Sequence, residues 1–360
     1  MEDTAVSRKR ARVSDSHDAT QIDAGPQPAS GDSAAIRDAD YWFEDGNIIL
    51  VARVVSFKVY KGLLAEHSPV FRNMFLIAQA SPRSAAEQSA DGCPVVYLDD
   101  TPEDLHQLFK FIFPLGASIR LNQAPMIDIE MLAALIRLDH KYELPSLHQQ
   151  ALSFLSTYYM ADFDAWADGN NATHWSPEPI HAITAIEIVR LTNTPSILPT
   201  AFYQLATLSP EVLLAGRGTP TTTWHCLPQA ELATCLRFRD VLVVLNMQAA
   251  FTLFKTSGAT CIAQGHCSMY LCHVLDYTGQ GEPPHTLASS RILDSWVPNI
   301  EQENAPMGMR TRSMCHSCKA DFATRERGMR REAWRKLPSL LGLTSDGWDE
   351  EPANAGGENW

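Results

Sequence analysis

The chain has 360 residues, of which 45% are hydrophobic and 20% charged, and its formal net charge is −13. This length suits two domains with tails, and the composition is that of an ordinary globular protein with ample core. The negative charge argues against a protein whose whole surface binds nucleic acid. Residues 1–30 lack the apolar segment of a signal peptide, so we predict an intracellular protein, in the nucleus or the cytoplasm. Its eight cysteines are then reduced thiols or metal ligands rather than disulfides.

Residues 1–37 contain almost no bulky apolar side chains, which predicts a disordered tail. Within this tail, RKRAR resembles a nuclear-import signal, although a solvated basic run in a tail explains it equally well. The longest apolar run, VLVVLNMQAAFTLF, is too short and too often interrupted by polar residues for a membrane span. We interpret it as a buried helix.

Order is predicted to begin at YWFEDGNIILVARVVSFKVY. The apolar run 48–51 and the alternating pattern of 55–59 predict two strands that form a hairpin. A helical turn containing Leu63 and Leu64 follows, and Ser68 with Pro69 predicts the capped start of a second helix. The side chains that share one face of this helix are Phe71, Met74 and Phe75.

The next segment repeats this organisation after a polar stretch, 79–94, that we predict to be a loop. Residues 95–98 form an apolar run that predicts a strand, and Thr101 with Pro102 predicts a helix start. One buried stripe is predicted along this helix: Leu105, Leu108, Phe109 and Ile112. Two further helices separated near Pro145 are predicted from the stripes Ile129, Leu132, Leu135 and Ile136, then Leu147, Ala151, Phe154, Leu155 and Tyr158.

The order hairpin, helix pair, strand, helix, helix pair over about residues 40–160 resembles a BTB/POZ domain. The resemblance is carried by DGNIILVA, FKVYKGLLAEHSPVFRNMF, VVYLDDTPEDLHQLFKFIF and LIRLDHKYELPSLHQQALSFL. One departure is Tyr60-Lys61, where the family often has His-Lys. The resemblance implies an α+β fold with a short β-hairpin and strand surrounded by helices, and a symmetric dimer face formed by the first helix and a neighbouring strand. The remainder resembles fungal BTB-domain-containing proteins without assigned biochemistry, on the evidence of the helical region 176–256 and of CHSCKADFATRERGMRREAWRKLPSLLGL.

Five segments are predicted from these patterns. They are a disordered tail over 1–37, a BTB/POZ domain over 38–160, a mostly α-helical second domain over 161–258, a cysteine-containing segment over 259–345 and an acidic disordered tail over 346–360. Short helices interrupted by prolines are expected in the second domain.

The cysteine-containing segment carries the strongest chemical pattern. Cys315 and Cys318 have the C-x₂-C spacing with which two thiolates chelate one zinc ion, and Cys261 with Cys267 offers a second pair. Alternative ligands are His266, Cys272 and His273. We predict a structural zinc site; packed cysteines without metal are the other interpretation.

Catalytic patterns are weak. Cysteine and histidine are both present, but no spacing pairs them as a nucleophile and its base. The stretch GRGTP at 216–220 indicates a turn rather than a phosphate-binding loop, and Asp99 and Asp100 are most simply turn residues.

The basic stretch 310–336 is interpreted as the solvated side of a helix whose apolar side carries Phe322, Met329 and Trp334. We predict that the protein is not an enzyme and has no cofactor beyond a structural zinc.

The predicted function is a non-enzymatic protein–protein interaction module that homodimerises through its BTB domain and acts as a scaffold or adaptor. Two alternatives remain: a substrate adaptor of a cullin ubiquitin ligase, and a nuclear transcriptional regulator. Protein partners are expected, whereas a membrane and nucleic acid are not.

Overall fold

The computed structural model describes residues 35–80, 89–113, 129–169, 177–218, 224–255, 257–279, 287–301, 313–344 and 348–349. The RKRAR stretch and most of the predicted acidic tail therefore lie outside the described residues.

A five-stranded sheet forms the first layer of the N-terminal region. Its strands are β1 (Ile36–Trp42), β2 (Ile48–Ala52), β3 (Val55–Val59), β4 (Ser89–Ala90) and β5 (Cys93–Leu98), in the spatial order β1-β3-β2-β5-β4. Strands β2 and β3 pair antiparallel, which confirms the predicted hairpin. Strand β1 runs parallel to β3, and β5 runs parallel to β2.

Strand β1 begins inside the segment predicted as a disordered tail, so the predicted boundary at residue 37 is wrong by two residues. The backbone N–H of Ile36 donates to the carbonyl oxygen of Val54 at 2.7 Å. The strand is held by such backbone pairing, and most of its side chains are exposed, so it leaves little apolar pattern in the sequence.

Five helices belong to the same N-terminal region and pack against one another. They are α1 (Lys61–His67), α2 (Pro69–Ala80), α3 (Pro102–Ile112), α4 (Ile129–Tyr142) and α5 (Pro145–Tyr158). Both predicted caps are confirmed, because the N–H of Phe71 donates to Ser68 Oγ at 3.0 Å and that of Asp104 donates to Thr101 Oγ1 at 3.1 Å. The predicted loop over 79–94 is wrong at both ends, since α2 reaches Ala80 and a β4–β5 hairpin starts at Ser89. The backbone of that hairpin turns where Asp91 and Gly92 have positive φ.

The rest of the chain is mostly helical, as predicted. Its helices are α6 (Phe163–Ala167), α7 (Ala182–Thr192), α8 (Leu198–Ala206), α9 (Pro210–Ala215), α10 (Gln229–Lys255), α11 (Gln264–Gly279), α12 (Val297–Ile300) and α13 (His316–Leu340), with a small hairpin of β6 (Arg217–Gly218) and β7 (Trp224–His225). Among the described residues, no helix has the length and apolar character needed to span a membrane. The apolar run VLVVLNMQAAFTLF lies in α10, so the predicted helix is confirmed. The prediction that it is buried is wrong for one side, because Val241, Val244, Met247 and Phe251 are exposed, while Leu242, Ala250, Leu253 and Phe254 are buried.

Two large hydrophobic cores lie along the molecule, and α10 and α13 reach both; a third, small cluster in the sheet is made of Ile49, Val51 and Cys93. The first core joins the sheet and α1–α5 to α7, α8, Leu242 of α10 and Trp334 of α13. The second core contains Leu253 of α10 and Phe322 of α13, together with side chains from α11 and α12. The first core thus takes side chains from both sides of residues 160 and 258, where the sequence predicts boundaries.

Trp348 also belongs to the first core, although it lies in the stretch predicted as an acidic tail. Its indole stacks on that of Trp334 with ring centroids 4.9 Å apart, and its Nε1–H donates to the carbonyl oxygen of Trp334 at 3.0 Å. The Nε1–H of Trp334 in turn donates to the carbonyl oxygen of Ala161 at 3.1 Å. These contacts therefore hold the C-terminal part of α13 against Ala161, which follows α5 in the sequence.

Candidate functional site: the β1/α1 face and the cysteine cluster

Strand β1 and helix α1 form a surface that we call the β1/α1 face. In the sheet of the described residues, β1 is an outermost strand with β3 as its only neighbour, so its second edge is open. An open edge offers backbone N–H and C=O groups to another chain. The apolar side chain of Ile36 on β1 is 67% exposed.

Aromatic stacking holds the beginning of α1 beside the end of β1. The rings of Phe43 and Tyr60 stack with centroids 4.9 Å apart, and Tyr60 Oη donates to Asp45 Oδ1 at 2.5 Å. This hydrogen bond raises the pKa of Tyr60. Tyr60 therefore occupies a defined place at the position where the BTB family often has histidine.

Helix α1 divides its two leucines between core and surface. Leu64 is fully buried against the first core, whereas Leu63 is 44% exposed. A Cβ on Gly62 would meet no atom within 4 Å, so no other part of the described chain covers the helix there. The side of α1 that carries Gly62 and Leu63 is thus exposed with respect to the part of the chain that the structure describes.

The four cysteines predicted as zinc ligands lie together. Their Sγ atoms are all within 4.8 Å of one another, and we call them the cysteine cluster: Cys261, Cys267, Cys315 and Cys318. The predicted alternatives His266, Cys272 and His273 are not part of it; His266 Nε2 instead lies 3.3 Å from the carbonyl oxygen of Ser313.

The four cysteines lie at the N-terminal ends of two helices, α11 and α13. Cys261 lies in the loop before α11 and Cys267 in its first turn; Cys315 is the N-cap residue of α13 and Cys318 lies in its first turn. Cys267 and Cys318 are fully buried, while the other two are half-buried.

Backbone N–H groups face the sulfur atoms. The N–H of Cys315 donates to Cys267 Sγ and that of Ala263 donates to Cys261 Sγ, both at 3.4 Å. The N–H of Cys318 lies toward the Cys315 sulfur without forming a regular cap hydrogen bond, and it is the main cause that lowers the pKa of Cys315 to about 6. Burial raises the pKa of Cys318 to about 12. The environment thus favours an anionic sulfur at Cys315 and penalises one at Cys318 unless a cation is present.

Close packing fixes the α10–α11 connection against α13. A Cβ on Gly258 would lie 3.1 Å from Cβ of Asp321, so glycine permits this close approach. Thr260 Oγ1 and Ser317 Oγ are 2.5 Å apart, and Arg325 donates to the carbonyl oxygen of Leu253 at 3.2 Å.

Six of the seven lysine and arginine side chains of α13 are engaged in ion pairs within the chain. The pairs join Arg325 to Asp321, Arg327 to Asp164 and Asp168, Arg330 to Glu326, Arg331 to Asp164, Arg335 to Asp349, and Lys336 to Glu332. Their partners neutralise much of the positive charge of α13, whereas residues 310–312 of the predicted basic stretch lie outside the described residues. Phe322 and Trp334 are fully buried on the other side of the helix, as predicted, and Met329 is partly buried.

The other residues considered as catalytic candidates from the sequence take part in contacts that stabilise the fold. Asp100 pairs with Lys141 at 2.8 Å and accepts a hydrogen bond from the hydroxyl of Tyr142, which suits a turn residue that holds α4. Of the GRGTP stretch, Arg217 and Gly218 form β6, and residues 219–220 lie outside the described residues.

Sequence reasoning missed one polar cluster around the β6–β7 hairpin. Arg217 pairs with Glu130 of α4 and donates to Thr184 Oγ1 of α7 at 3.3 Å. His225 Nδ1 lies 2.9 Å from Glu187 Oε2. No local signal reveals the cluster, because its members are far apart in the sequence; the contacts fasten the hairpin to the helices beneath it.

Comparison with known proteins supports the organisation of the N-terminal region. Residues 44–159 match the family model of the BTB/POZ domain. A comparison of the chain with curated proteins gave no match.

Proposed function

Because residues 44–159 form a BTB/POZ domain, which is a protein–protein interaction module, we propose that this protein homodimerises and acts as a non-enzymatic scaffold or adaptor. The observation that carries the proposal is the β1/α1 face, which combines the open edge of β1 with the exposed Leu63 of α1, two elements joined by the stacked rings of Phe43 and Tyr60. Two copies related by a two-fold axis present the same patch to each other, as an isologous interface requires.

One charge on β1 is compensated within the chain, and the two acidic side chains of the strand have hydrogen-bonding neighbours. Arg37 pairs with Asp91 at 2.8 Å, and Asp40 lies 3.0 Å from His106. Asp38 Oδ1 accepts the backbone N–H of Tyr41 at 2.9 Å. The basic charge of Arg37 is thus balanced within the chain, while Asp38 and Asp40 leave acidic charge on the strand, which salt would screen when two copies pair.

The oligomeric state of the full chain tests the proposal. Light scattering at roughly tens of micromolar should give the mass of a dimer, because even a micromolar Kd leaves most of the protein dimeric at that concentration. Leu63→Asp places a charge in the proposed interface and should give a monomer with an unchanged circular dichroism spectrum.

Leu214→Asp is the matched control, since Leu214 is 63% exposed but lies on α9, outside the β1/α1 face. This variant should stay dimeric. A monomeric wild-type chain, or a dimer that tolerates Leu63→Asp, would contradict dimerisation through this face.

For the adaptor role, we propose that the helical part of the chain recruits a client protein. Affinity purification with mass spectrometry separates the adaptor classes: a cullin that co-purifies in stoichiometric amount identifies a ubiquitin-ligase adaptor. Nuclear retention that is lost with rising salt identifies a transcriptional regulator instead. The ion pairs along α13 argue against direct nucleic-acid binding by that helix.

A further inference from the structure

We propose that the cysteine cluster binds one structural Zn²⁺ ion through four thiolates. A tetrahedral Zn–S₄ centre has Zn–S bonds of about 2.3 Å, which corresponds to sulfur–sulfur separations of roughly 3.8 Å. The four Sγ atoms lie within 4.8 Å of one another, so the centre forms with shifts of about 1 Å or less.

The ligand set favours zinc in a structural role. Soft thiolates in a tetrahedral S₄ arrangement select zinc or iron, whereas oxygen ligands select magnesium or calcium. All four coordination positions come from the chain, so no position is left for a water molecule or a substrate. Cys267 and Cys318 are fully buried, which shields the centre from solvent on that side.

The surroundings compensate the charge of such a centre. Four thiolates and one Zn²⁺ carry a net charge of −2, and the starts of two long helices, the 16-residue α11 and the 25-residue α13, converge on it. Helix N-termini favour negative charge. The N–H groups of Ala263 and Cys315, which donate to sulfur atoms at 3.4 Å, are the outer contacts that orient and stabilise thiolate ligands.

The zinc ion would cross-link two distant parts of the sequence. One ligand pair lies at the α10–α11 connection and the other at the start of α13, which are joined by a segment that includes residues 302–312, outside the described residues. In the part of the chain that the structure describes, the second core has twelve buried members, and a metal link at its end would add to its folding free energy. The metal thereby fixes the beginning of α13, while Trp334 fixes its other end in the first core.

Metal content tests the proposal directly. The full chain, purified with reductant and without added metal, should contain about one zinc per molecule by elemental analysis. Removing two ligands in Cys267→Ser/Cys318→Ser should lower the zinc content at least tenfold. Cys272→Ser is the matched control, because Cys272 is an exposed cysteine on the same helix as Cys267, and it should keep the full content.

A second measurement does not depend on whether the double variant folds. Wild-type protein exchanged with Co²⁺ should show the thiolate-to-cobalt charge-transfer bands and intense d–d bands of a tetrahedral S₄ centre. Folded wild-type protein without metal, a weak six-coordinate cobalt spectrum, or equal zinc loss in Cys272→Ser would overturn the site. So would an intact mass lowered by the hydrogens lost in two disulfides, and bound iron would overturn the choice of metal.

Discussion

Phe71 in α2 provides a quantitative test of the BTB core. Its ring is fully buried and stacks on Tyr142 of α4 with centroids 4.1 Å apart and an interplanar angle of 9°. It also contacts the ring of Phe75 at 5.8 Å. Phe71→Ala removes all of these contacts at the junction of two helices.

The expected cost follows from these contacts. Burying a phenylalanine side chain contributes about 1.5–3 kcal/mol, and each aromatic pair adds about 0.5–1.5 kcal/mol. The helices around the lost ring can close the cavity only in part, so the total should be about 3–5 kcal/mol. This is a large share of the ~5–15 kcal/mol typical of a domain.

Urea unfolding followed by circular dichroism measures the loss, which should lower the transition midpoint with little change in slope. The control is Ile77→Ala on the same helix, because Ile77 is 71% exposed and its truncation should change the unfolding free energy by less than about 0.5 kcal/mol. If Phe71→Ala costs under about 1 kcal/mol, or no more than the control, the interpretation of Phe71 as a core anchor is wrong.

Two further predictions concern the attachment of α13. Arg327 and then Arg331 lower the pKa of Asp164, so Asp164→Asn should lower the melting temperature at neutral pH. An acid whose folded pKa is depressed stabilises the fold above its unfolded pKa, about 3.9 for Asp, and loses this contribution as pH falls through the lower folded value. The difference between wild type and Asp164→Asn should therefore close below about pH 4 and shrink in high salt; a difference that persists in acid would contradict the ion pairs. Trp348→Ala removes the indole that stacks on Trp334 and should cost about 3–5 kcal/mol in the unfolding free energy, whereas an unchanged value would show that Trp348 does not pack there.

Local signals predicted most of the N-terminal region. Ser68 and Thr101 marked helix starts because a cap needs only a few consecutive residues, and the β2–β3 hairpin followed from period-two alternation. Strand β1 was not predicted, because backbone pairing such as that of Ile36 with Val54 holds it, which no side-chain pattern records.

Contacts between distant segments were harder to predict. The spacing of Cys315 and Cys318 indicated chelation, but only the fold shows that Cys261 and Cys267, rather than Cys272, lie beside them. Trp348 was assigned to a tail because acidic neighbours dominate its local composition, while its packing depends on α13.

The two cores impose a fixed length on the helix that joins them. In α10, Leu242 belongs to the first core and Leu253 to the second. An α-helix turns by about 100° and rises about 1.5 Å per residue, so deleting one residue between these positions would rotate Leu253 out of the second core. An insertion of seven residues adds about two full turns, so Leu253 would again point toward the second core. That insertion would still displace the second core by roughly 10 Å along the helix. Because α13 spans the same two cores, a compensating change of equal length would be required there as well, and the two helices are expected to gain or lose residues only together.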